Sequence, residues 1–412
     1  MIPSPGHCRS CGSRITETVT DLGSTPLANS YLKESDLDAV EPVFPLKVLV
    51  CGNCWLVQLE HVVDPETIFR HYAYFSSVSE SWLDHSDRFA ATMISQLDLN
   101  GESMVMEVAS NDGYLLRSFR SRGIPVLGIE PAENVAESAI ETGIPTRVEF
   151  LTPAVAADIV AHGIKPDLLI GNNVLAHVPD INNFVKALAS MMSKRTLLTM
   201  EFPHVLNLIK HVQFDTIYHE HYSYLSLHAV EYVLAAQGLA VVDVDRLPTH
   251  GGSLRVHVRV ADNGAGPSDS VTTLRAREQA AGLTDIVTYR KFARKVGTAK
   301  AGLVEFLSEA KAAGRSVAAY GAAAKGNTLL NTCQVTTDSI EYVVDRSPAK
   351  QGLFMPGSRI PIHAPERVFE ERPDYLVILP WNIKDEIIDQ MAAVRVWGCE
   401  FVTAIPNTRI LL

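Results

Sequence analysis

Two cysteine pairs, Cys8-x2-Cys11 and Cys51-x2-Cys54, constrain the first 70 residues more tightly than any other feature constrains the rest of the chain. Each pair is a tight turn that aims two thiolates at one point. Six cysteines in 412 residues are too few for a disulfide scaffold, and Cys333 and Cys399 stand alone. The start, Met1 to Cys8, has no basic stretch followed by an apolar one, so the sequence predicts no export signal and a cytoplasmic location. Paired CxxC turns in that setting read as a metal site. Four sulfurs close a tetrahedron and leave no open position, which predicts a structural zinc on Cys8, Cys11, Cys51 and Cys54. Pro26, Pro42 and Pro45 break any long helix between the pairs, and Phe44 to Val50 alternates like a strand. A module this small gains most of its stability from the ion, worth roughly 10–16 kcal/mol in zinc-finger peptides. Two reduced CxxC turns without metal are the alternative.

The length predicts two or three domains, and the apolar runs are strand-length, too short to span a membrane. A net charge of −11 argues against a general nucleic-acid or membrane-surface binder, so an anionic ligand would need local cations. After an aromatic linker, His71 to Ser77, a helix is expected from Ser81 to about Leu97. From about Ser103, strands alternate with helices: Val105 to Ala109, Pro125 to Glu130, Asp167 to Asn173 and Thr196 to Glu201. That alternation predicts a parallel sheet covered on both faces, with ligands at the carboxyl ends of its strands. Ser226 can cap a helix that Gly238 ends, and Ala240 to Val244 and Leu254 to Val260 add strands. Asp262 to Ser268 is the best boundary after this unit. Arg315 to Gly321, Glu341 to Asp345 and Tyr375 to Leu379 repeat the logic. The expected domains are 1–70, 71–262 and 263–412.

Glu107 to Glu130 spans 23 residues, and Gly321 to Asp345 spans 24. A strand, a turn, a helix and then an acid can bind NAD or S-adenosylmethionine, the acid accepting from ribose hydroxyls. Dinucleotides need glycines so that the backbone can approach a pyrophosphate, and Glu107-Val-Ala109-Ser110-Asn111-Asp-Gly113 has one where three are wanted. S-adenosylmethionine carries no phosphate and tolerates the bulkier turn. The expected cofactor residues are Glu107, Ala109, Ser110, Asn111, Gly113, Tyr114 and Glu130, with Asn172 and Asn173 where a further strand opens into the same cleft. His177 follows one helical turn later.

Asp215-Thr-Ile-Tyr218-His219-Glu220-His221-Tyr222-Ser-Tyr224 concentrates imidazoles, carboxylates and phenols as no other stretch does. Methyl transfer to carbon first requires a carbanion, made by removing a proton beside a carbonyl. That step needs a base and donors for the developing enolate oxygen. Acid/base work and a polar loop packed under the sheet are equal readings on spacing alone. Metal binding ranks third, because in an extended segment only His219 and His221 share a face.

Taken together, the cysteine pairs, His71-Tyr-Ala-Tyr-Phe-Ser-Ser77, Glu107 to Gly113, Gly171-Asn-Asn-Val-Leu-Ala-His-Val178, Tyr218 to Tyr224 and Tyr320-Gly-Ala-Ala-Ala-Lys-Gly-Asn327 stand in one order. In that order the chain resembles the zinc-containing, S-adenosylmethionine-dependent nucleotide-sugar C-methyltransferases of bacterial deoxysugar biosynthesis, such as the dTDP-sugar C-3 methyltransferases. The resemblance implies an α/β protein: a zinc module, a central class I methyltransferase sheet and a second Rossmann-like domain. It implies a dTDP-linked 4-keto deoxyhexose as substrate. His221 would be the base, with Tyr218 and Glu220 lining the site and Tyr72 and His177 meeting the substrate or enolate. Tyr74 and Ser77 would contact substrate. The diphosphate would need Lys325, Arg346 and Lys350, and His250-Gly251-Gly252-Ser253 leaves room for close approach. An NAD-dependent sugar oxidoreductase and a non-catalytic nucleotide-sugar-binding protein are the alternative functions.

Overall fold

A computed structural model describes residues 6–70, 75–78, 80–262, 264 and 266–411. Seventeen strands among these residues form three sheets.

The first sheet belongs mostly to the cysteine module: β1 (Glu17–Thr25), β2 (Phe44–Val50) and β3 (Val57–Leu59), all antiparallel. The central unit contributes β4 (Val105–Val108), β5 (Val126–Ile129), β6 (Thr146–Arg147), β7 (Leu168–Asn172) and β8 (Leu197–Pro203). Next comes β9 (Ser223–Tyr224), which leaves the central unit and pairs with β3, so the small sheet runs β1-β2-β3-β9. The antiparallel strands β10 (Leu239–Leu247) and β11 (Ser253–Val260) complete a seven-stranded sheet of order β10-β11-β8-β7-β4-β5-β6. Strands β4 and β7 are buried at every position. Such unbroken burial follows from helices covering both faces of a parallel sheet.

Two helices, Asp269–Ala280 and Ile286–Ala312, lead to the third sheet. It comprises β12 (Val317–Tyr320), β13 (Val343–Val344), β14 (Ile362–His363), β15 (Tyr375–Ile378), β16 (Glu400–Thr403) and β17 (Arg409–Leu411). Its order is β14-β13-β12-β15-β16-β17, parallel except for the last pair. The helix after β12 covers Ala324–Thr332 and places Lys325 on its second residue.

Both large sheets rest on the cysteine module. Val19, Leu46 and Val48 share a core with Val317 and Ala319 of the third sheet and Leu329 of the helix after β12. Leu49, Cys51 and Leu56 pack with Met106, Leu169 and Phe202 of the central one. Arg9, between the first two cysteines, is buried although charged. Its guanidinium donates to the carbonyls of Leu59 (2.7 Å) and Tyr222 and to Ser223 Oγ (3.3 Å). Burying a cation is costly unless carbonyls or anions compensate, and here the compensation ties the cysteine turn to β9.

Candidate active site

The four cysteine sulfurs lie within 4.8 Å of one another, with Cys8 to Cys54 and Cys11 to Cys51 each at 3.5 Å. Four sulfurs at a zinc–sulfur length of about 2.3 Å would stand about 3.8 Å apart, so the set fits a tetrahedral zinc. Each knuckle closes with a backbone hydrogen bond to its first cysteine, Gly12 N to Cys8 O and Trp55 N to Cys51 O. Gly12 and Trp55 both take positive φ, turning the chain away once the second thiolate is placed.

At the carboxyl ends of β4 and β7 the backbone is unusual. Ala109, Asn111 and Asn173 adopt φ between 51° and 56°, a region that side chains other than glycine rarely occupy. Such strain persists where surrounding structure over-determines it, often at ligand sites. Five buried polar atoms here lack a hydrogen-bond partner among the described residues: Glu107 Oε2, Ser110 Oγ, Asp112 Oδ1, Asn172 Oδ1 and Asn173 Oδ1. Buried polar atoms are seldom left unpaired without a reason, and a polar cofactor is the group that would satisfy them. Glu107 is 1 % exposed. Burial raises its carboxyl well above the ordinary range, the Glu130 and Asp112 charges add to this, and Tyr114 opposes it. Glu130 accepts from the amides of Asn111 and Ala132, each at 2.9 Å, and burial still pushes it up to about 7. Asn111 Oδ1 and Asp112 Oδ2 accept from the amides of Ser76 (2.9 Å) and Ser77 (3.2 Å), so the linker closes over the turn. Tyr72 and Tyr74 lie outside the described residues.

The histidine-rich stretch is a turn rather than an extended segment. His221 N donates to Tyr218 O at 3.0 Å, which sends neighbouring side chains to different places. His219 is buried, with Nε2 3.2 Å from Phe44 O. Glu220 accepts from Asn29 Nδ2 at 2.6 Å. His221 turns the other way, 4.1 Å from the Tyr218 ring and 4.8 Å from the His177 ring, and His177 stacks on Phe69. His219 and His221 therefore share no face, and among the described residues the cysteines form the one cluster arranged for a metal.

His221 Nδ1 lies 2.9 Å from the carbonyl oxygen of Thr216. A carbonyl only accepts, so Nδ1 carries the hydrogen and Nε2 carries the lone pair. Burial lowers the ring's pKa to about 4, opposed by the Thr216 carbonyl and reinforced by the charges of His250 and Lys325. Burial likewise lowers His177 well below the usual imidazole range, with His221 and His250 contributing. Burial thus favours the uncharged form of both rings, and the tautomer of His221 leaves its lone pair on Nε2.

Three residues named from the sequence, His250, Glu201 and Asp215, take contacts that the sequence did not give them. His250 has φ 53° and packs edge-on against Trp82. Its neighbour Thr249 is held by the buried Glu201, which also accepts from Arg255. Asp215 is fully buried and accepts from Trp381 Nε1 at 2.6 Å. The room expected beside Gly251 and Gly252 is taken by protein: a side chain on Gly251 would meet Trp381, and one on Gly252 would meet Asn207. An unusual glycine pair was the available signal, but its partners lie far away in the chain.

The three cations proposed for a diphosphate take different partners. Lys325 Nζ donates to Asn382 Oδ1 at 2.6 Å and lies over Trp381. Lys350 Nζ donates to Ala322 O at 2.7 Å, beside Tyr31 and Asp345. Arg346 is exposed, 3.6 Å from Glu386.

Comparison with known proteins gives the family. Family models match residues 8–69 (putative zinc binding domain), 69–244 (methyltransferase domain) and 248–406 (C-methyltransferase C-terminal domain). The C-methyltransferase NovU of Streptomyces niveus is 36% identical over 406 residues, covering 98% of this chain and 96% of that protein. Among solved structures, a protein from Pyrococcus horikoshii aligns with TM-score 0.36 and 10% identity, over 48% of this chain and all of that one. The magnesium protoporphyrin IX methyltransferase of Synechocystis aligns with TM-score 0.34 and 16% identity, over 44% of this chain and 81% of that one. Scores this low add nothing to the assignment, which rests on the full-length relative and the three domain matches. The chain belongs to the zinc-binding, S-adenosylmethionine-dependent C-methyltransferases.

Proposed function

We propose that the protein methylates a carbon beside the ketone of a nucleotide-linked keto sugar, with a dTDP-4-keto deoxyhexose methylated at C-3 as the specific reading. One observation carries it: a buried, neutral His221 whose tautomer is set by a carbonyl, leaving Nε2 as a base. Transfer to oxygen or nitrogen needs no such base against a weak carbon acid, whereas transfer to carbon does.

Bound S-adenosylmethionine supplies the electrophilic methyl group, and Glu107, Glu130, Asn172 and Asn173 would hold it. His221 Nε2 takes the proton from the carbon beside the ketone. Tyr218 and His177 flank the ring and limit where the sugar can lie. Glu220 braces the turn through Asn29 and so acts on the base's position. The resemblance assigns contacts with the sugar to Tyr72, Tyr74 and Ser77. The C-terminal unit holds the nucleotide, with Arg346 and Lys350 serving the diphosphate.

Incubation with a dTDP-4-keto deoxyhexose and methyl donor should add one carbon-bound methyl; an oxygen- or nitrogen-bound methyl overturns the reading. Without methyl donor, solvent deuterium should enter the carbon beside the ketone. In His221→Asn that exchange should fall by about 10²–10⁴-fold, the usual worth of a positioned general base. Unchanged exchange would remove His221 from the role.

A further inference from the structure

Lys325 occupies the second position of the helix that leaves the third sheet, and the Trp381 ring beside it reaches Asp215 of the central unit. Its ammonium donates to the neutral amide of Asn382 and lies 4.9 Å over the Trp381 ring. The same indole donates to Asp215 Oδ2 and fills the space left by the missing side chain of Gly251. Asp215 belongs to the short turn Phe214–Thr216, whose Thr216 carbonyl sets the tautomer of His221. Gly251 follows His250 directly. One indole from the C-terminal unit thus contacts the two loops that carry His221's anchor and His250, with Lys325 on its face.

Among the described residues Lys325 has no carboxylate within ion-pair distance; its hydrogen bond goes to an uncharged group. Its charge is close enough to act on His221, His250 and Asp215. Lys350, by contrast, sits against Asp345, and Arg346 against Glu386. Those two cations pair with acids at 3.9 and 3.6 Å, whereas the buried Asp215 acts on Lys325 from beyond ion-pair distance. A partly buried cation with no acid in contact suits an oxygen that acquires negative charge only during reaction, since donors placed in advance need no rearrangement when charge develops.

We propose that Lys325 is a catalytic residue that stabilises the enolate oxygen formed as His221 removes the proton, so that the C-terminal unit completes the reaction centre as well as holding the nucleotide. The proposal rests on the C-methylation reading above. The carbon–hydrogen bond breaks, its proton goes to His221 Nε2, and its electron pair moves through the adjacent carbon to the ketone oxygen beside the ammonium. When the carbon accepts the methyl group, the carbon–oxygen double bond re-forms and the pair of the sulfur–methyl bond stays on sulfur.

The test compares wild type, Lys325→Met and Lys325→Arg. Three quantities are measured: affinity for a dTDP-4-keto deoxyhexose by calorimetry, deuterium entry at saturating sugar without methyl donor, and kcat for methylation. Melting temperature and S-adenosylhomocysteine affinity establish that each variant is folded. Lys325→Met should lower both exchange and kcat by about 10²–10³-fold, the usual loss on removing one such donor. Its sugar affinity should stay within about threefold, and Lys325→Arg should recover at least about a tenth of the exchange rate. A large loss of sugar affinity with saturated exchange unchanged would make Lys325 a diphosphate ligand and overturn the proposal. Equal exchange in wild type and Lys325→Met overturns it as well, while leaving C-methylation standing. Wild type that binds the sugar but exchanges no deuterium defeats the C-methylation reading, and Lys325's role falls with it.

Discussion

The central and C-terminal sheets open on the same device, a strand, a turn and a helix, with an acid at the end of the neighbouring strand. In both, that acid accepts from a turn amide: Glu130 from Asn111 N in one, Asp345 from Ala322 N in the other. The difference lies in what remains unsatisfied. The central turn runs from Ala109 to Gly113, carries two non-glycine residues at positive φ, and leaves a cluster of buried polar atoms without partners. The C-terminal turn is three residues long, and its Ala322 carbonyl already accepts from Tyr31 and Lys350. Asp345's second oxygen accepts from Ser347 N. Two sheets of the same kind therefore differ at this turn: one keeps buried polar atoms unpaired among the described residues, while the other is closed by its own protein.

The largest expected effect concerns the frame on which both sheets stand. Stripping zinc with a strong chelator should lower the melting temperature sharply, because a structural zinc is worth roughly 10–16 kcal/mol in small modules. Hydrogen exchange should then rise first in β2, β3 and β9, where Arg9 joins the knuckle to the histidine turn. Protection that is lost evenly over all three sheets would mean the module is no separate support. Next in size, Glu107→Ala should weaken S-adenosylhomocysteine about 100-fold by calorimetry, whereas Asp345→Asn should change it less than about threefold. Comparable losses in both variants would erase the distinction between the turns. A paired glycine test is smaller. An alanine side chain at residue 128 would crowd Ser110, and one at residue 321 would meet Pro380 at a φ of +98°. Gly128→Ala and Gly321→Ala should each cost about 1–3 kcal/mol in denaturant titrations, as overpacking does, but only Gly128→Ala should also reduce cofactor affinity.

The pH dependence is gentler. Folding raises Glu130 from 4.5 to about 7, chiefly by burial. In that window the folded apo protein holds a proton that the unfolded chain has lost, so this group's contribution to stability declines as pH rises from 4.5 to about 7. Cofactor hydroxyls need the ionised carboxylate, so S-adenosylhomocysteine affinity should weaken as pH falls through about 7. The two slopes have opposite signs, and a flat affinity profile would remove Glu130 from the cofactor's contacts. Smallest of all, Arg346→Ala removes an exposed ion pair and should shift stability by less than about 1 kcal/mol.

Much of this was legible because the signals are local. A CxxC turn is built by four consecutive residues, and alternating apolar runs mark strands whatever lies beside them. Helix bounds followed the same rule: Ser226 accepts from Ala229 N at the start of its helix, and Gly238 follows that helix with φ of +70°. The concentration of proton-handling groups from Asp215 to Tyr224 was likewise visible. Which of them face a substrate was not, because a turn at Tyr218 to His221 scatters neighbours that an extended chain would alternate. Trp381 and Asn382 carried no local sign, since they act through Asp215 and Lys325, and His250 was marked only by the two glycines that follow it.

The sequence by itself determined that four thiolates converge, that two α/β sheets form, and that one turn lacks the glycines a pyrophosphate needs. These are consequences of spacing and periodicity within a few residues. Only the tertiary structure decided that β9 leaves its own unit to complete the zinc module's sheet, that Thr216 sets the tautomer of His221, and that Trp381 lies between Lys325 and Asp215. Those arrangements depend on groups brought together from distant parts of the chain, and hydrogen bonds, burial and charge act on distance in space rather than along the sequence.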